Sequence, residues 1–246
     1  MTRVRFPLPA HEKGYIKMKI ENIIVCGDIH ADWKFLNTLI NRKKPDIILV
    51  CGDYGYWPIL DRRTNRTYSN VRPKDTKIYW CDGNHEDHES LGKLREKEIS
   101  EIVPNVFYMK RGSTLILPDG RVVLFMGGAD SVDKEWRTPG LDWFPGETIS
   151  NKDIDNLPEV GVDIVVSHTC PEFLVRHFIK KGVFDEKFND PSQKVLTHVW
   201  EKYVPRLWYF GHFHTNMVVE NGYTKFICLN CAGSSGRWWT YLPGKD

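Results

Sequence analysis

The sequence lacks an excess of charge of either sign. Its 246 residues contain 34 lysines and arginines against 32 aspartates and glutamates, which leaves a net charge of +2. Proteins that bind nucleic acid or anionic membranes through a broad surface carry a marked positive excess. The composition therefore excludes binding of nucleic acid or membranes through a broad basic surface. A charged partner must be bound by a local group of residues. The hydrophobic fraction of 41% is that of an ordinary globular protein.

Long hydrophobic runs are also missing. Nowhere do eighteen apolar residues follow one another, and the first seventeen residues are basic without a continuous apolar segment. A transmembrane helix needs about twenty consecutive apolar residues, and a signal peptide needs an apolar central region. We therefore expect a cytoplasmic protein with no membrane partner. Residues 1–20 are predicted to be an N-terminal extension, and residues 21–246 a single domain.

The sequence has only six cysteines, and most of them stand singly at the ends of apolar runs, as small buried residues do. Cys228 and Cys231 form a lone C-x-x-C pair. This pair ends a strand-like run, whereas a redox motif would open a helix. The pattern favours buried thiols in a reducing compartment, with a metal or redox role as the alternative.

Apolar runs and helical spacing alternate along the first part of the chain. Residues 23–26, 47–51 and 77–81 are short apolar runs typical of buried strands. Residues 33–42 and 88–99 have the spacing or charge pattern of helices. Strands that alternate with helices predict a layered α/β fold.

Closely spaced β-runs follow, and a turn at residues 118–120 predicts a hairpin. A long loop, residues 127–149, then leads through a short helix to further elements. The remaining predicted strands are 106–109, 114–117, 122–126, 163–166, 207–210, 217–220 and 223–229, and the predicted helices are 172–180 and 191–203.

Five of the predicted strands end in a glycine or serine that is followed at once by metal-binding residue types. The segments are Gly27-Asp28-Ile29-His30, Gly52-Asp53, Gly83-Asn84-His85-Glu86, Ser167-His168 and Gly211-His212-Phe213-His214. Loops after strand ends are where α/β sheets assemble their sites, and glycine lets the backbone turn sharply there. We therefore expect the five segments to converge.

Carboxylate, imidazole and one amide oxygen are the donors that these segments offer. This mixture suits Mn²⁺, Fe²⁺ or Zn²⁺ better than Ca²⁺, which prefers oxygen ligands alone. Two such ions about 3.5–4 Å apart can share a hydroxide, lower the pKa of its parent water and hold phosphoryl oxygens for in-line displacement.

In this order the segments resemble the calcineurin-like metallophosphoesterase superfamily, whose signature is D-x-H, G-D, G-N-H-E/D, an isolated H and G-H-x-H. The resemblance spans Asp28 to His214. It implies a four-layer α/β/β/α sandwich of two mixed sheets flanked by helices. It also implies a binuclear metal-dependent hydrolase of phosphate esters, either a phosphomonoesterase or a phosphodiesterase, that uses a metal-bridging hydroxide.

The resemblance implies two sets of metal ligands that share one bridging carboxylate. The first set is Asp28, His30 and His214, the second set is Asn84, His168 and His212, and the bridge is Asp53. An asparagine after glycine often serves only a turn, which is the alternative for Asn84. His85 would face the substrate as the catalytic residue without binding metal. The two divalent ions are expected to be Mn²⁺, with Fe²⁺/Fe³⁺ or Zn²⁺ as alternatives.

One branch of the superfamily is disfavoured. Its Ser/Thr protein phosphatases continue G-D-x-x-D-R-G, which supplies an acid partner for the catalytic histidine and a phosphate-binding arginine. Here Tyr56 stands at the place of the acid and Trp57 at the place of the arginine. Glu86 or Asp87 would have to orient His85 instead.

Three arginines are predicted to bind substrate. Arg62 and Arg63 lie in a polar insertion after the bridging aspartate, and a solvated loop is the alternative. Arg137 lies in the long loop, where loop packing is the alternative. An aromatic cluster at Trp238, Trp239 and Tyr241 is more typical of core than of base stacking.

The expected partner is a phosphate ester, with a nucleotide or nucleic acid as candidates. A loose similarity from Pro104 to Ala129 leaves open a nucleotide or RNA-end phosphodiesterase related to lariat debranching enzymes. The alternative of another class is a non-catalytic metal-binding scaffold.

Overall fold

A computed structural model describes residues 22–58, 70–182 and 189–245. The described strands are β1 (Ile23–Cys26), β2 (Ile47–Val50), β3 (Lys77–Trp80), β4 (Ile99–Val103), β5 (Val106–Met109), β6 (Thr114–Ile116), β7 (Val122–Met126), β8 (Ile164–Ser167), β9 (Leu207–Phe210), β10 (Met217–Asn221), β11 (Thr224–Cys228) and β12 (Trp239–Tyr241). The described α-helices are α1 (Trp33–Lys43), α2 (His88–Leu94), α3 (Asn151–Ile154), α4 (Glu172–Lys180) and α5 (Pro191–Tyr203). None of these helices combines the length and the apolar character that crossing a bilayer requires.

The strands form two mixed sheets of six strands each, with orders β12-β1-β2-β3-β5-β4 and β10-β11-β9-β8-β7-β6. In the first sheet β1, β2, β3 and β5 are parallel, and both edge strands are antiparallel. The second sheet repeats this plan, because β11, β9, β8 and β7 are parallel between antiparallel edges. Parallel central strands bring several strand ends to one edge of each sheet.

Three layers of core show how the sheets and helices stack. Successive side chains of a strand point to opposite faces. On β1, Val25 packs between the two sheets with Phe125 of β7, whereas Ile24 packs under α1 with Leu36. A third cluster joins the outer face of the second sheet to α4 and α5. The four-layer α/β/β/α sandwich is therefore confirmed.

Two strands were not predicted. The helix expected over residues 88–99 ends at Leu94, and Ile99–Val103 forms β4 beside β5. β12 pairs antiparallel with β1, and Trp238 and Trp239 pack against the cluster under α1. Both strands are at sheet edges and are short, so pairing with the neighbouring strand defines them more than local pattern does.

The cysteines are free thiols, and all except Cys231 are buried. Cys228 ends β11, and burial raises the pKa of its thiol. A protonated buried thiol is a poor nucleophile and metal ligand. The C-x-x-C pair thus belongs to the end of a core strand.

The predicted extension, residues 1–20, lies outside the described residues, and so do the predicted substrate arginines Arg62 and Arg63.

Candidate metal centre

The five segments converge at the carboxyl ends of parallel strands from both sheets. β1 leads into Asp28, β2 into Asp53, β3 into Asn84, β8 into His168 and β9 into His212. Every one of these strands is a central parallel strand. The order of the strands in the two sheets therefore produces the predicted convergence of the five segments.

Asp28, His30 and His214 form one group of ligand atoms that all lie within 4.8 Å of one another. His214 Nε2 lies 3.1 Å from Asp28 Oδ2 and 2.9 Å from His30 Nε2. Two imidazole nitrogens that face each other beside a carboxylate are arranged as ligands of a shared cation would be. This is the set that the resemblance implies for the first metal.

The second predicted set is also brought together. His168 Nε2 lies 3.0 Å from Asn84 Oδ1, and the rings of His168 and His212 are 4.9 Å apart in an edge-on arrangement. His168 Nδ1 lies 2.8 Å from the backbone carbonyl of Cys51. If Nδ1 carries the proton and donates it there, Nε2 is left to face the site, as in many metal-binding histidines.

Asp53 lies between the two groups. Its Oδ2 is 3.7 Å from His30 Nε2 and 3.4 Å from His168 Nε2. Its Oδ1 accepts a hydrogen bond of 2.8 Å from the backbone N–H of His85. One carboxylate oxygen is thus anchored to the backbone, and the other faces both sets of ligands.

The backbone is strained at several ligand positions. His30, Asp53, His212 and His214 have φ values of 49°, 42°, 65° and 44°. Non-glycine residues seldom adopt this left-handed region, and each costs about 1–3 kcal/mol where it occurs. Such strain clusters at functional sites, since the surrounding fold must hold it.

The glycines of the motif are required by close approach. A Cβ at Gly83 would overlap the side chain of Asp53, and a Cβ at Gly211 would overlap the side chain of Asp28. The glycine of each G-N-H and G-H-x-H segment therefore makes room for a carboxylate from a neighbouring strand end.

The carboxylates are ionised despite their burial. Burial alone would raise the pKa of Asp53, but the charges of His168 and His85 hold it well below its usual range. Burial alone would lower the pKa of His168, yet the carboxylates of Asp53 and Asp28 raise it to about 10. Burial, together with the charge of His168, lowers the pKa of His212 to about 3.

This donor set fits a divalent cation. Two buried carboxylates hold a proton on His168, and a bound cation would replace that proton, as metals do when they bind to imidazole. The remaining donors are imidazole nitrogens and one amide oxygen, which suit borderline divalent ions. Ligand atoms of Asp28, His30 and His214 lie within 4.8 Å of one another, as do those of Asp28, Asp53 and His168, so each group could hold a metal ion.

His85 lies at the mouth of the site and is held from two sides. A ligand atom of its ring lies within 4.8 Å of ligand atoms of His30 and Asp53. Arg137 Nη2 lies 2.9 Å from His85 Nε2, and Trp57 Nε1 donates a hydrogen bond of 2.8 Å to the His85 carbonyl. A nitrogen that accepts from a guanidinium has no lone pair left for a metal. The geometry therefore agrees with a residue that faces substrate.

Among the predicted substrate arginines, Arg137 is placed at the site. Its guanidinium also forms an ion pair of 2.7 Å with Asp133. The carboxylates of Glu86 and Asp87, the hypothesised orienting groups of His85, accept hydrogen bonds from other residues. The Glu86 carboxylate accepts hydrogen bonds from the backbone of Gly55 and Gly83, and that of Asp87 accepts from Ser90 at the start of α2.

The sequence analysis missed Ser131, whose hydroxyl lies 3.1 Å from Asn84 Nδ2. No motif marks this serine, because it lies in an irregular loop whose path only the packed sheets determine.

Solved structures that are similar to this chain include the following three. The protein TT1561 of Thermus thermophilus has 14% identity and a TM-score of 0.49, over 87% of this chain and 91% of that one. The phosphopantetheinyl hydrolase PptH from Mycobacterium tuberculosis has 13% identity and a TM-score of 0.46, over 90% and 95%. GAP50, the anchor in the inner membrane complex of Plasmodium, has 12% identity and a TM-score of 0.46, over 85% and 70%. Similarity this distant carries no argument about activity.

No curated protein sequence matches the chain. The family model described as calcineurin-like phosphoesterase matches residues 21–216, which include every predicted metal ligand. With that match, this chain belongs to the calcineurin-like phosphoesterase family.

Proposed function

We propose that this protein hydrolyses phosphate esters with two divalent metal ions. The position of Asp53 carries the proposal, since its Oδ2 lies 3.7 Å from His30 Nε2 on one side and 3.4 Å from His168 Nε2 on the other. A site for one ion would need only one of these groups. A buried carboxylate between two sets of ligands is what a pair of ions requires.

The two ions would be held by the residues that the resemblance implies. These are Asp28, His30 and His214 for the first ion, Asn84, His168 and His212 for the second, and Asp53 for both. When bound, two such ions would supply an activated water and stabilise the charge that develops on the phosphoryl oxygens. Mn²⁺ is the proposed ion, with iron or zinc as alternatives for these donors.

The chain itself supplies two groups for the substrate. Arg137 Nη2 and His85 Nε2 are 2.9 Å apart, and the Arg137 side chain is 8% exposed. A guanidinium presents several N–H donors in one plane, which match the oxygens of a phosphoryl group. We assign Arg137 to phosphate binding and His85 to the leaving oxygen. Their contact holds both side chains in place before substrate arrives.

A second candidate is a phosphodiesterase that acts on a nucleotide or an RNA end. It is supported by Trp136, which precedes Arg137 and is 89% exposed. An indole ring in this position is available to stack on a base, and such stacking contributes about 1–3 kcal/mol. A diester whose leaving group carries an aromatic ring would contact both Trp136 and Arg137.

The experiment is a metal-dependent hydrolysis assay. The protein is stripped of metal, reloaded with Mn²⁺, and assayed on bis-p-nitrophenyl phosphate and on p-nitrophenyl phosphate. A preference for the diester supports the second candidate, and a preference for the monoester supports a phosphatase. The absence of any Mn²⁺-dependent rate on these substrates and on RNA ends would favour the scaffold alternative.

Two variants test the ligands. His168→Ala and His212→Ala are each expected to abolish turnover and to lower the bound Mn²⁺, measured by mass spectrometry of the protein, while the fold remains. His198→Ala is the matched control, because His198 is exposed on α5. Full activity in either ligand variant would contradict the assignment.

A further inference from the structure

A buried chain of hydrogen bonds leads from Asn84 into the loop after β7. Asn84 Nδ2 donates to Ser131 Oγ over 3.1 Å, and Ser131 Oγ donates to Glu147 Oε2 over 2.9 Å. The backbone N–H of Ser131 donates to Glu147 Oε1 over 2.7 Å. Asn84 is 3% exposed, and Ser131 and Glu147 are each 1% exposed. Every member of this chain is therefore removed from water.

The direction of the chain decides which end of the Asn84 amide faces the site. Asn84 Oδ1 lies 3.0 Å from His168 Nε2, on the side of the predicted metal ligands. An amide turned by 180° would place its NH₂ group there, and an NH₂ group cannot bind a cation. The carboxylate of Glu147 accepts a hydrogen bond from the Ser131 hydroxyl, and the oxygen of that hydroxyl is then an acceptor for Asn84 Nδ2.

Glu147 is itself fixed in place. Its Oε1 accepts a hydrogen bond of 3.0 Å from Trp143 Nε1, and its backbone carbonyl accepts one of 2.8 Å from Arg111 Nη2. The same Arg111 nitrogen pairs with Asp82 Oδ2 at 2.6 Å, two residues before Asn84. The loop that carries Glu147 and the turn that carries Asn84 are thus tied together at two points.

We propose that Ser131 and Glu147 are positioning residues of the metal centre, which hold the Asn84 amide with its oxygen toward the ion. This inference rests on the proposed function, because it takes Asn84 as a ligand. Both residues lie outside the predicted ligand set, and Ser131 contacts it through the Asn84 amide. Their effect is carried through Asn84, whose own motif is an ordinary G-N-H.

The test is a Mn²⁺ titration of the metal-free protein, in which free Mn²⁺ is followed by electron paramagnetic resonance. In Ser131→Ala, the Kd of one of the two ions is expected to rise about 10- to 100-fold, the range for lost partners of metal ligands, while the other ion binds as in the wild type. Ser131→Thr keeps a hydroxyl and is expected to stay within about threefold of the wild type. Ser113→Ala is the matched control, because Ser113 is buried and hydrogen-bonded to the Glu98 carbonyl.

A second variant isolates the role of amide direction. Asn84→Asp removes the NH₂ group, so Ser131→Ala in the Asn84→Asp background is expected to change the Kd by less than about threefold. An equal loss in both backgrounds would show that Ser131 acts on the loop and not on the amide. If Ser131→Ala fails to fold, Glu147→Gln tests the same chain, with a loss at one ion again expected.

The two proposals fail separately. A wild-type protein that binds fewer than two Mn²⁺ ions contradicts the proposed function and removes the basis of this inference. A wild type that binds two ions, with Ser131→Ala and Glu147→Gln both unchanged, overturns the positioning role and leaves the proposed function intact.

Discussion

His85 and Arg137 illustrate how single residues shape this site. Protein phosphatases of the superfamily orient the catalytic histidine with an acid and bind phosphate with an arginine of the same motif. In this chain Trp57 holds the backbone of His85, and Arg137 reaches its ring from a loop 52 residues away. We propose that Arg137, from another part of the fold, supplies the phosphate-binding guanidinium that the G-D segment lacks.

Replacement of Arg137 tests this reading. Arg137→Ala is expected to lower kcat/KM about 10- to 100-fold, because hydrogen bonds to a charged group are worth about 1.5–3 kcal/mol. Arg137→Lys should recover only part of the loss, since an ammonium cannot form a planar fork. The kcat/KM of both variants is measured by steady-state kinetics on whichever p-nitrophenyl ester the wild type hydrolyses faster. The amount of bound Mn²⁺ is expected to be the same as in the wild type.

Arg176→Ala serves as the control, because Arg176 is exposed on α4. An Arg137→Ala variant with the kcat/KM of the control would remove this residue from the site.

At the scale of elements, helix ends show where local chemistry and the fold disagree. α1 and α5 both end in a residue with left-handed backbone, Lys44 with φ 46° and Val204 with φ 42°. Glycine is preferred at this position, and a β-branched residue is the least suited to it. The cap of α5 therefore stores strain that the next strand, β9, imposes by starting three residues later.

Val204→Gly is expected to stabilise the protein. A left-handed L-residue costs about 1–2 kcal/mol, and Val204 is 44% exposed, so little buried contact is lost. We expect a gain of about 1 kcal/mol, after the greater chain entropy of glycine is subtracted, which corresponds to a rise in Tm of about 2–4 °C. Lys44→Gly is the comparison and should give a smaller gain, because lysine is unbranched at Cβ. A lower Tm for Val204→Gly would contradict this account.

At the scale of the whole molecule, one buried ionic cluster joins the two sheets. Asp82 follows β3 of the first sheet, and its backbone carbonyl accepts a hydrogen bond of 2.7 Å from Gly128, which follows β7 of the second. Burial alone would raise the pKa of Asp82, but the guanidinium groups of Arg111 and Arg95 hold it well below its usual range. The carboxylate is thus ionised, buried and dependent on its partners.

Arg111→Met is expected to lower the free energy of unfolding by about 3 kcal/mol, because removal of one partner leaves a buried charge uncompensated. Arg95 lies 3.1 Å from Asp82 and still pairs with it in this variant. The expected loss of stability is therefore at the lower end of the usual range for a broken buried ion pair. Urea unfolding of the metal-free protein measures it.

Lys225→Met is the control, since Lys225 pairs with Glu220 at 3.6 Å and both side chains are exposed. Its free energy of unfolding is expected to match the wild type. If the free energy of unfolding of Arg111→Met equals that of the wild type, Arg95 alone neutralises Asp82.

Most elements of the fold were predictable, because short apolar runs and helical spacing are local. The prediction was wrong at residues 95–99, where a charged stretch was predicted as helix but the helix ends at Leu94 and pairing with β5 makes Ile99–Val103 a strand. It missed β12, whose partner β1 lies at the other end of the described chain.

The sequence by itself determined the strand–helix alternation and the identity of the candidate ligands, because each ligand follows its own strand within a few residues. Only the tertiary structure decided which residues support them. Ser131 reaches Asn84 across 47 residues, and Arg137 reaches His85 across 52. These partners lie in a loop without periodicity, and its position depends on how the two sheets pack. The local sequence pattern therefore does not predict these contacts.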